Sequence, residues 1–343
     1  MGKKFKVGII GYGVVGKRRK KFIDKNPHLK TCYISDMKFN KDYESKDGIE
    51  YFKDYKAMFV KDLNIIFVSL PNYLASEVVI LGLKSGCHVF CEKPPSRTVS
   101  EMKNVVNYTV KFPHLKLKYG FNHRYHDSVK KAMEIVESNK YGEVVSFRGV
   151  YGKSSIIPFG GGWRSEKRFS GGGILLDQGI HILDLIQYFA SNKFSKIHSF
   201  VSNNYWKHDV EDNAFVLMKN KSGQVALIHS TATQWQHRFR LEIILNEGLL
   251  ELSGILSGSK SYGSETLKVI ERIHGDSSGS QEERVYNFLN DNSWENEINE
   301  FVDCVVKDRP IKSGTPIESL NIMKMIFKIY KADQDWWKTF KNI

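Results

Sequence analysis

The stretch Gly8-Ile9-Ile10-Gly11-Tyr12-Gly13-Val14-Val15-Gly16 decides the fold of the first part of this chain. It ends a short apolar run, residues 5–10, and opens a segment compatible with a helix, residues 14–24. In the pattern Gly-x-Gly-x-x-Gly the first glycine permits a tight turn, the second lets a pyrophosphate approach the backbone, and the third lets helix pack on strand. The pattern therefore predicts dinucleotide binding, with the phosphates at the helix N-terminus. The alternative is a tight glycine turn without a ligand.

Asp36 lies 20 residues after Gly16, at the end of the second predicted strand, residues 30–35. A carboxylate at this point accepts hydrogen bonds from both ribose hydroxyls and repels a 2′-phosphate. Asp36 therefore favours NAD over NADP, although the positive charge of Lys38 argues in the other direction.

Predicted strands and helices alternate along the first 121 residues. After the second strand, residues 43–61 are polar and mixed and predict one short helix, and the alternation then resumes. The later strands are predicted at residues 64–70, 88–91 and 115–121, and the helices at 73–84 and 99–110. Strict alternation indicates a parallel sheet with helical crossovers.

The pattern changes after residue 121. A helix at 128–138, a strand at 143–151 and an apolar helix at 174–190 precede short strand-like alternation at 196–252, which predicts an antiparallel sheet. Residues 253–279 predict surface loops, and two helices, 294–307 and 317–338, close the chain. The fold class is thus α/β followed by α+β.

Length and composition agree with two globular domains. The chain has 343 residues, of which 41% are apolar and 26% charged, and this composition excludes general disorder and fibrous repeats. The formal net charge of +13 fits either lysines scattered over the surface or an anionic partner. The basic run at residues 17–21 would form a collar around a helix, and therefore argues against nucleic-acid binding.

Four cysteines do not make a disulfide framework or a zinc site, so we expect no metal and a reducing compartment. No signal peptide and no apolar stretch of about 18 residues is evident, which predicts a cytoplasmic protein without a membrane span.

Glu92-Lys93-Pro94-Pro95 ends the fourth strand of the predicted parallel sheet. Ligands of open α/β sheets bind at the carboxyl ends of strands, so Lys93 is a candidate for hydrogen bonding a substrate hydroxyl and helping to move its proton. The alternative is a surface lysine that precedes a turn.

The segment Gly171–Asp184 places a carboxylate and an imidazole in an apolar helix. Asp177 and His181 are four residues apart and should share one helix face, which Asp184 continues. Burying them is costly unless they are partnered, and histidine suits a general base near neutral pH. The alternative is a hydrogen-bonded pair in the core.

Together these motifs resemble the Gfo/Idh/MocA oxidoreductases, the family of glucose–fructose oxidoreductase and myo-inositol 2-dehydrogenase. The resemblance runs in order along the whole chain. The matching segments are residues 11–16, Ser69-Leu70-Pro71-Asn72, residues 86–94, Gly120-Phe121-Asn122-His123-Arg124-Tyr125, Trp163-Arg164 and residues 171–184. Ala75 and Cys87 depart from the family pattern, where many members have histidine and lysine.

The resemblance implies a Rossmann dinucleotide-binding domain, residues 1–121, and a substrate-binding and oligomerisation domain, residues 122–343. The closing helices could pack back on the first domain. In the family, the large, mostly antiparallel sheet commonly builds a dimer or tetramer interface. The family reaction is hydride transfer between nicotinamide C4 and a secondary alcohol carbon of a sugar or cyclitol.

Matched position by position, Lys93 contacts substrate and cofactor, Asp177 and His181 orient hydroxyls and take the proton, and Glu92 and Asn72 line the nicotinamide side. The cofactor residues so expected are Gly11, Tyr12, Gly13, Val14, Val15, Gly16, Asp36, Ser69, Leu70, Pro71, Asn72, Glu92 and Lys93. The expected substrate-binding residues are Lys93, Asn122, Arg124, Trp163, Arg164, Asp177 and His181.

The sequence thus predicts an NAD-dependent sugar dehydrogenase with Lys93, Asp177 and His181 as catalytic residues. Arg124, Arg164 and Arg168 favour a nucleotide sugar or sugar phosphate, since arginine binds phosphate in a bidentate manner; a free sugar or inositol is the alternative. A non-catalytic protein that senses NAD or a sugar is the alternative from another class. Such a sensor need not retain all three catalytic residues.

Overall fold

The computed structural model describes residues 4–156, 161–257, 261–273 and 279–340. The chain folds as two compact units. The first comprises Met1–Phe121 and Trp294–Met323, and the second comprises Asn122–Ser293 and Lys324–Ile343. Of the helices in the described ranges, none has the length and apolar character that a membrane crossing requires.

The helices and strands are numbered in chain order. The helices are α1 (Val14–Ile23), α2 (Asn72–Lys84), α3 (Val99–Thr109), α4 (Asp127–Glu137), α5 (Lys167–Ser170), α6 (Ile180–Phe189), α7 (Ser293–Val306), α8 (Pro316–Ala332) and α9 (Gln334–Phe340). The strands are β1 (Phe5–Ile10), β2 (Leu29–Ser35), β3 (Tyr43–Lys46), β4 (Ile49–Phe52), β5 (Ile65–Val68), β6 (His88–Glu92), β7 (Leu117–Gly120), β8 (Val144–Ser154), β9 (Phe194–Ser202), β10 (Asn213–Asn220), β11 (Val225–Gln234), β12 (Arg238–Leu245), β13 (Gly248–Ser253), β14 (Glu265–Arg272) and β15 (Gln281–Phe288).

The sheet of the first unit has the order β3-β4-β2-β1-β5-β6-β7. Its neighbouring strands are parallel except for the β3–β4 pair. From β1 the chain builds outward first through β2 and later through β5, so the strand order reverses between β1 and β5. Open α/β sheets bind ligands at this kind of reversal.

Apolar side chains on one face of this sheet pack against α7. Phe67 of β5 and Phe90 of β6 stack with ring centroids 5.1 Å apart, and Phe301 of α7 packs edge-on against both rings. Because all three side chains are buried, α7 is part of the core of the first unit although it is remote in sequence.

Arg19 of α1 is a fully buried cation in this core. Its Nε donates to Glu92 Oε1 at 2.5 Å and its Nη2 to Glu297 Oε2 at 2.7 Å. The guanidinium also lies over the rings of Phe90 and Trp294. Burial raises the pKa of Glu297 to about 7, against the opposing effect of the Arg19 charge. The basic run at residues 17–21 winds around α1 as predicted, but Arg19 points into the core and is not part of the charged surface.

The sheet of the second unit has the order β15-β14-β13-β12-β8-β11-β10-β9. Its neighbours are antiparallel except for β8 and β11, which are parallel. Burial alternates along each central strand, so one face forms the core and the other stays open. Helix α6 lies on the core face, where Ile182 leaves no room for a side chain at Gly149.

The two sheets confirm the predicted fold class, a parallel sheet followed by a mostly antiparallel one. The short helix predicted within residues 43–61 is present as a 3-10 turn, Tyr55–Met58, whereas residues 43–52 form the hairpin β3–β4, which was not predicted. Asp47 and Gly48 connect its strands, and both have positive φ. Asp-Gly with two positive φ angles is a strong hairpin signal.

Two further predictions need correction. Residues 253–279 were expected to be loops, but β14 lies within them and pairs with β13 and β15; residues 258–260 and 274–278 are outside the described ranges. The helix predicted at 317–338 is divided into α8 and α9, since the Asp333 carboxylate accepts hydrogen bonds from the backbone of Trp336 and Val201.

Replacing the buried cation tests its structural role. We expect Arg19→Met to lower the free energy of unfolding by about 3 kcal/mol, because it leaves two carboxylates without their buried partner. Lys21→Met, at an exposed position of the same helix, should change it by less than about 0.5 kcal/mol. Urea unfolding followed by tryptophan fluorescence measures both. Equal unfolding midpoints for the two variants would contradict the assignment.

Candidate active site

In the glycine turn between β1 and α1, two glycines leave no room for a side chain and the third faces open space. Gly11 has φ +88°, and a Cβ there would lie 2.3 Å from the Ser69 carbonyl oxygen. A Cβ at Gly16 would lie 2.0 Å from the Gly11 carbonyl oxygen, whereas one at Gly13 would meet no atom within 4 Å. Gly13 also precedes α1 without a side-chain cap, so amide groups at the helix start face the open side. This turn fits the pyrophosphate of a dinucleotide.

Asp36 is fixed beside the glycine turn. Its Oδ2 accepts a hydrogen bond from the backbone N–H of Tyr12 at 2.7 Å, and its Oδ1 accepts one from the backbone N–H of Lys38 at 2.9 Å. The carboxylate therefore lies at the carboxyl edge of β1 and β2, as the binding of a cofactor ribose requires.

The remaining candidate cofactor residues follow β5 and β6 at the same edge of the sheet. The Ser69 backbone donates to the Ile10 carbonyl at 2.8 Å, which ties the end of β5 to the end of β1. Leu70 and Pro71 continue this segment, and Asn72 is buried at the start of α2. Glu92 ends β6, where it accepts a hydrogen bond from Arg19, and the half-buried Lys93 comes next.

In the second unit, a π-helical turn, Leu175–Gly179, carries Asp177 and leads directly into α6, which carries His181. The single regular helix predicted at 174–190 is therefore wrong at its start. Such turns often occur at functional sites because they displace side chains from regular helical positions. Asp177 is half-buried and His181 is buried.

Buried Glu211 holds the start of this helical segment. Its carboxylate accepts hydrogen bonds from the backbones of Gly173 and Leu175 at 2.7 and 3.0 Å, and from the Tyr330 hydroxyl at 2.7 Å. Burial raises the pKa of Glu211 to about 7. A Cβ at Gly173 would lie 2.0 Å from the Glu211 carbonyl oxygen, so this glycine permits the close approach of the two segments.

Aromatic and basic side chains surround Asp177 and His181. The His123 ring stacks on His181, with centroids 3.7 Å apart. Tyr151 and Tyr262 are hydrogen-bonded to each other, and burial together with the negative charge of Asp177 raises the pKa of both. Burial lowers the pKa of Lys153, although the Asp177 charge opposes this effect. The cluster brings a carboxylate, two imidazoles and hydroxyl donors together.

Arg124 and Asp184 form a buried ion pair. Arg124 Nε donates to Asp184 Oδ2 at 2.8 Å and Nη2 donates to Oδ1 at 2.6 Å. Two nitrogens of the guanidinium are therefore engaged within the protein. Asn122, the neighbouring candidate, bonds His123 through Oδ1 and donates to Ser293 Oγ.

Trp163 and Arg164 lie on a short turn, Gly162–Ser165, with the Arg164 guanidinium 4.3 Å from the centroid of the Trp163 ring. Arg168 is exposed on α5 and pairs with Glu166. Within the described ranges, no group of three or more His, Cys, Asp or Glu side chains could hold a metal ion.

Five residues of this region had no role predicted from the sequence: His123, Tyr151, Lys153, Tyr262 and Glu211. Alternation along β8 could have revealed two of them, because Tyr151 and Lys153 follow Phe147 and Gly149 on the buried face. A lysine on that face is unusual. His123, Tyr262 and Glu211 reach the cluster from remote parts of the chain, and no local pattern predicts that.

Two family models match the chain. The model described as an oxidoreductase family with an NAD-binding Rossmann fold matches residues 5–115, and that of the GFO/IDH/MocA C-terminal domain matches residues 129–251. Together they cover more than half of the chain.

Several known proteins are similar to this chain. Levoglucosan dehydrogenase from Pseudarthrobacter phenanthrenivorans is 28% identical over 57% of this chain and 53% of its own length. Myo-inositol 2-dehydrogenase from Thermotoga maritima is 27% identical over 71% of this chain and 73% of its own length. The chain thus spans only about half to three quarters of these relatives.

A solved structure of levoglucosan dehydrogenase in complex with NADH shares the fold. It superposes with a TM-score of 0.82 at 19% identity, over 97% of this chain and 98% of that one. The two matched family models, in the order in which they occur along the chain, agree with the two sheets and the glycine turn. The chain therefore belongs to the Gfo/Idh/MocA oxidoreductase family, whose NAD-binding Rossmann-fold model matches residues 5–115 of its first unit.

Proposed function

We propose that this protein is an NAD-dependent dehydrogenase that oxidises a secondary alcohol of a sugar or cyclitol. The observation that carries the proposal is the cluster of Asp177, His181, Tyr151 and Lys153 in the second unit. A protein that only bound NAD would have no need of such a group of acid, base and hydroxyl donors. The cluster also argues against the sensor, the alternative from another class.

The residues of the first unit would hold the cofactor. Gly13 and the start of α1 would receive the pyrophosphate, and Asp36 would accept hydrogen bonds from the ribose hydroxyls. The segment Ser69-Leu70-Pro71-Asn72, together with Glu92 and Lys93, would line the nicotinamide side. Bound NAD would supply an acceptor for the hydride that leaves the carbinol carbon.

In the proposed reaction His181 is the general base. The substrate O–H bond breaks and its proton moves to an imidazole nitrogen, while the C–H electron pair leaves with its hydrogen as hydride and the C=O bond forms. Lys93 would hydrogen-bond the reacting oxygen and stabilise its developing negative charge. Asp177 would bind neighbouring hydroxyls and orient His181.

The buried Arg124–Asp184 pair supports an uncharged substrate. The prediction of a nucleotide sugar or sugar phosphate depended on three arginines, and two nitrogens of Arg124 are engaged by Asp184. The relatives named for levoglucosan and myo-inositol also favour an unphosphorylated ring. We therefore propose a free sugar or cyclitol, and the exposed Arg164 and Arg168 support a nucleotide sugar or sugar phosphate as the second candidate.

The open face of the second sheet supports a homodimer or homotetramer. Phe200, Phe215, Leu217 and Leu227 are exposed on neighbouring strands β9, β10 and β11. A contiguous exposed apolar patch of this kind is typical of a protein–protein interface. The four cysteines are free thiols, which supports a reducing compartment such as the cytoplasm.

Two substitutions test the catalytic assignment. We expect His181→Ala and Lys93→Met each to lower kcat by about 100-fold or more while NAD affinity stays within about twofold, because both remove groups that act on the reacting oxygen. The absorbance of reduced nicotinamide, measured with free sugars, inositols, sugar phosphates and nucleotide sugars, gives the rates and names the substrate class.

The matched controls are His28→Ala and Lys103→Met. Both replace exposed residues of the same types and should keep full turnover. Near-normal turnover of His181→Ala would remove His181 from its role. The dehydrogenase proposal would be overturned if none of the tested substrates led to reduction of NAD, and if the purified protein carried no nicotinamide and did not bind NAD.

Cofactor choice should depend on the Asp36 charge. Asp36→Asn keeps an oxygen acceptor for the Tyr12 amide but no longer repels a 2′-phosphate, so the preference for NAD over NADP should fall by about tenfold or more. Fluorescence titration with both nucleotides measures the two dissociation constants. Asp42→Asn, at an exposed carboxylate of the same unit, is the control. An unchanged ratio of the two constants would count against Asp36.

Charge on the open sheet face should separate the protomers. We expect Phe215→Glu to give monomers, because an ionised carboxylate in an apolar interface loses its hydration. Val110→Glu, on an exposed apolar position of the first unit, should leave the assembly intact. Size-exclusion chromatography with light scattering gives the masses, and an unchanged mass for Phe215→Glu would exclude this face as the interface.

A further inference from the structure

His123 and His181 form a stacked pair of imidazole rings inside the second unit. Their centroids lie 3.7 Å apart and their planes are inclined by 17°. Both side chains are buried. The rings meet face to face, so a proton does not pass directly from a nitrogen of one to a nitrogen of the other.

Both nitrogens of His123 are held by neighbours. Nδ1 lies 3.2 Å from Asn122 Oδ1, and Nε2 lies 3.1 Å from the Tyr151 hydroxyl. An amide oxygen only accepts, so Nδ1 carries the proton and donates to Asn122. Nε2 of a neutral His123 is then an acceptor, and the Tyr151 hydroxyl donates to it. The network is fully satisfied with His123 uncharged.

A charge on His123 would disturb this network. Its Nε2–H would then have to donate to the Tyr151 oxygen. The Tyr151 hydroxyl, already hydrogen-bonded to Tyr262, would have to donate to Tyr262 instead of to His123. The edges of the ring are also occupied, by His126 at 5.6 Å and Phe239 at 5.9 Å between centroids. The His123 ring is therefore fixed in plane and in tautomer.

The charged and titratable groups around the pair come from several elements. His123 lies on a 3-10 turn, Asn122–Tyr125, on which Arg124 is paired with Asp184. His126, just after this turn, is bonded to Glu265 of β14. The other groups are Tyr151 and Lys153 of β8, Asp177 of the π-turn, Tyr262 and His237. Two unit charges on stacked rings would add strong repulsion, since charges about 4 Å apart inside a protein interact by several times the thermal energy.

We propose that His123 and His181 form a one-proton dyad, in which His123 stays neutral, fixes the plane of His181 and lets only His181 take up the proton. The proposal rests on the proposed role of His181 as the base. His123 acts through His181 and is a positioning residue. Its neutral ring face lies against the imidazolium that forms when the substrate hydroxyl gives up its proton, and a neutral π face stabilises a cation.

Nitrogen NMR of the full chain with 15N-labelled histidine tests the dyad without a substrate. Across about pH 5 to pH 9, we expect the His181 nitrogens to titrate and those of His123 to keep the values of the neutral Nδ1–H tautomer. His123→Phe and His181→Phe assign the signals, because each variant removes the signals of the histidine that it replaces. Charging of His123 before His181, or of both rings together in this range, would overturn the proposal.

Two further variants test the electrostatic coupling between the two rings and the hydrogen bond from Tyr151 to His123. In His181→Phe, the pKa of His123 should rise by about two units or more, because the neighbouring charge is gone. Tyr151→Phe removes the donor to Nε2 and should shift the Nε2 signal to that of an imidazole nitrogen without a hydrogen bond, while Nδ1 keeps its proton. Tyr43→Phe, at an exposed tyrosine, should leave them unchanged. An unaltered His123 spectrum in Tyr151→Phe would refute the hydrogen bond from Tyr151 to His123.

The outcomes separate this inference from the proposed function. If His181 titrates alone but His181→Ala retains turnover, the dyad stands and the assignment of the base fails. If both rings charge together, the dyad fails whatever the turnover. With the sugar that reduces NAD in the absorbance assay, His123→Phe should lower kcat by about tenfold with KM unchanged, as expected for a lost positioning group.

Discussion

The buried guanidinium of Arg19 is the interaction on which the first unit depends. It joins α1, the end of β6 and α7, three segments far apart in the sequence. Helix α1 begins at the glycine turn, and the carboxylate that Arg19 holds on β6 belongs to Glu92, the residue before Lys93. The position of the turn proposed to receive the phosphates and that of the proposed catalytic lysine are therefore set by one ion network. Burying a cation is costly, and here two carboxylates and two aromatic rings offset the loss of hydration.

In the second unit a buried acid holds the segment that carries the candidate catalytic residues. Glu211 accepts hydrogen bonds from neutral donors at the start of the segment that carries Asp177 and His181. Burial raises the pKa of Glu211 and of Glu297 to about 7, so each acid holds its proton more readily in the folded chain. The stability that each acid contributes by binding a proton is fully present when the pH is below the ordinary pKa of glutamic acid. It is lost as the pH rises through about 7. Both functional segments therefore rest on groups that respond to pH near neutrality.

The sequence predicted most accurately those features that a short stretch of chain determines. The glycine turn, the end of β2 at Asp36 and the alternation of strands and helices are local patterns, and the two sheets agree with them. The hairpin at Asp47-Gly48 was also local, and it was missed because its strands have only four residues each and β3 is polar. The π-turn before α6 could not be predicted from side-chain spacing, since Asp177 and His181 fit a regular helix equally well.

The features that were not predicted from the sequence depend on contacts between residues far apart in the chain. Arg19 looked like one member of a basic surface run, and its burial depends on Glu297, which lies 278 residues later. Arg124 looked available for a substrate phosphate, and its partner Asp184 is 60 residues away. His123 was part of a recognised motif, but its contact with His181 arises only when the turn at Asn122–Tyr125 and α6 pack together. In each case the residue type was visible and its partner was not.

The divided course of the first unit has a consequence for how the protein is made. The seven strands of its sheet are complete by Gly120, yet the aromatic face of β5 and β6 is covered by Phe301 and its neighbours on α7. On the ribosome, the nascent chain must carry this uncovered apolar surface while the whole second sheet is synthesised. The glycine turn and Lys93 emerge early, but the ion network that holds them is completed only when Glu297 leaves the exit tunnel. Cofactor binding therefore belongs to the nearly finished chain, and an N-terminal fragment would expose the surface that chaperones recognise.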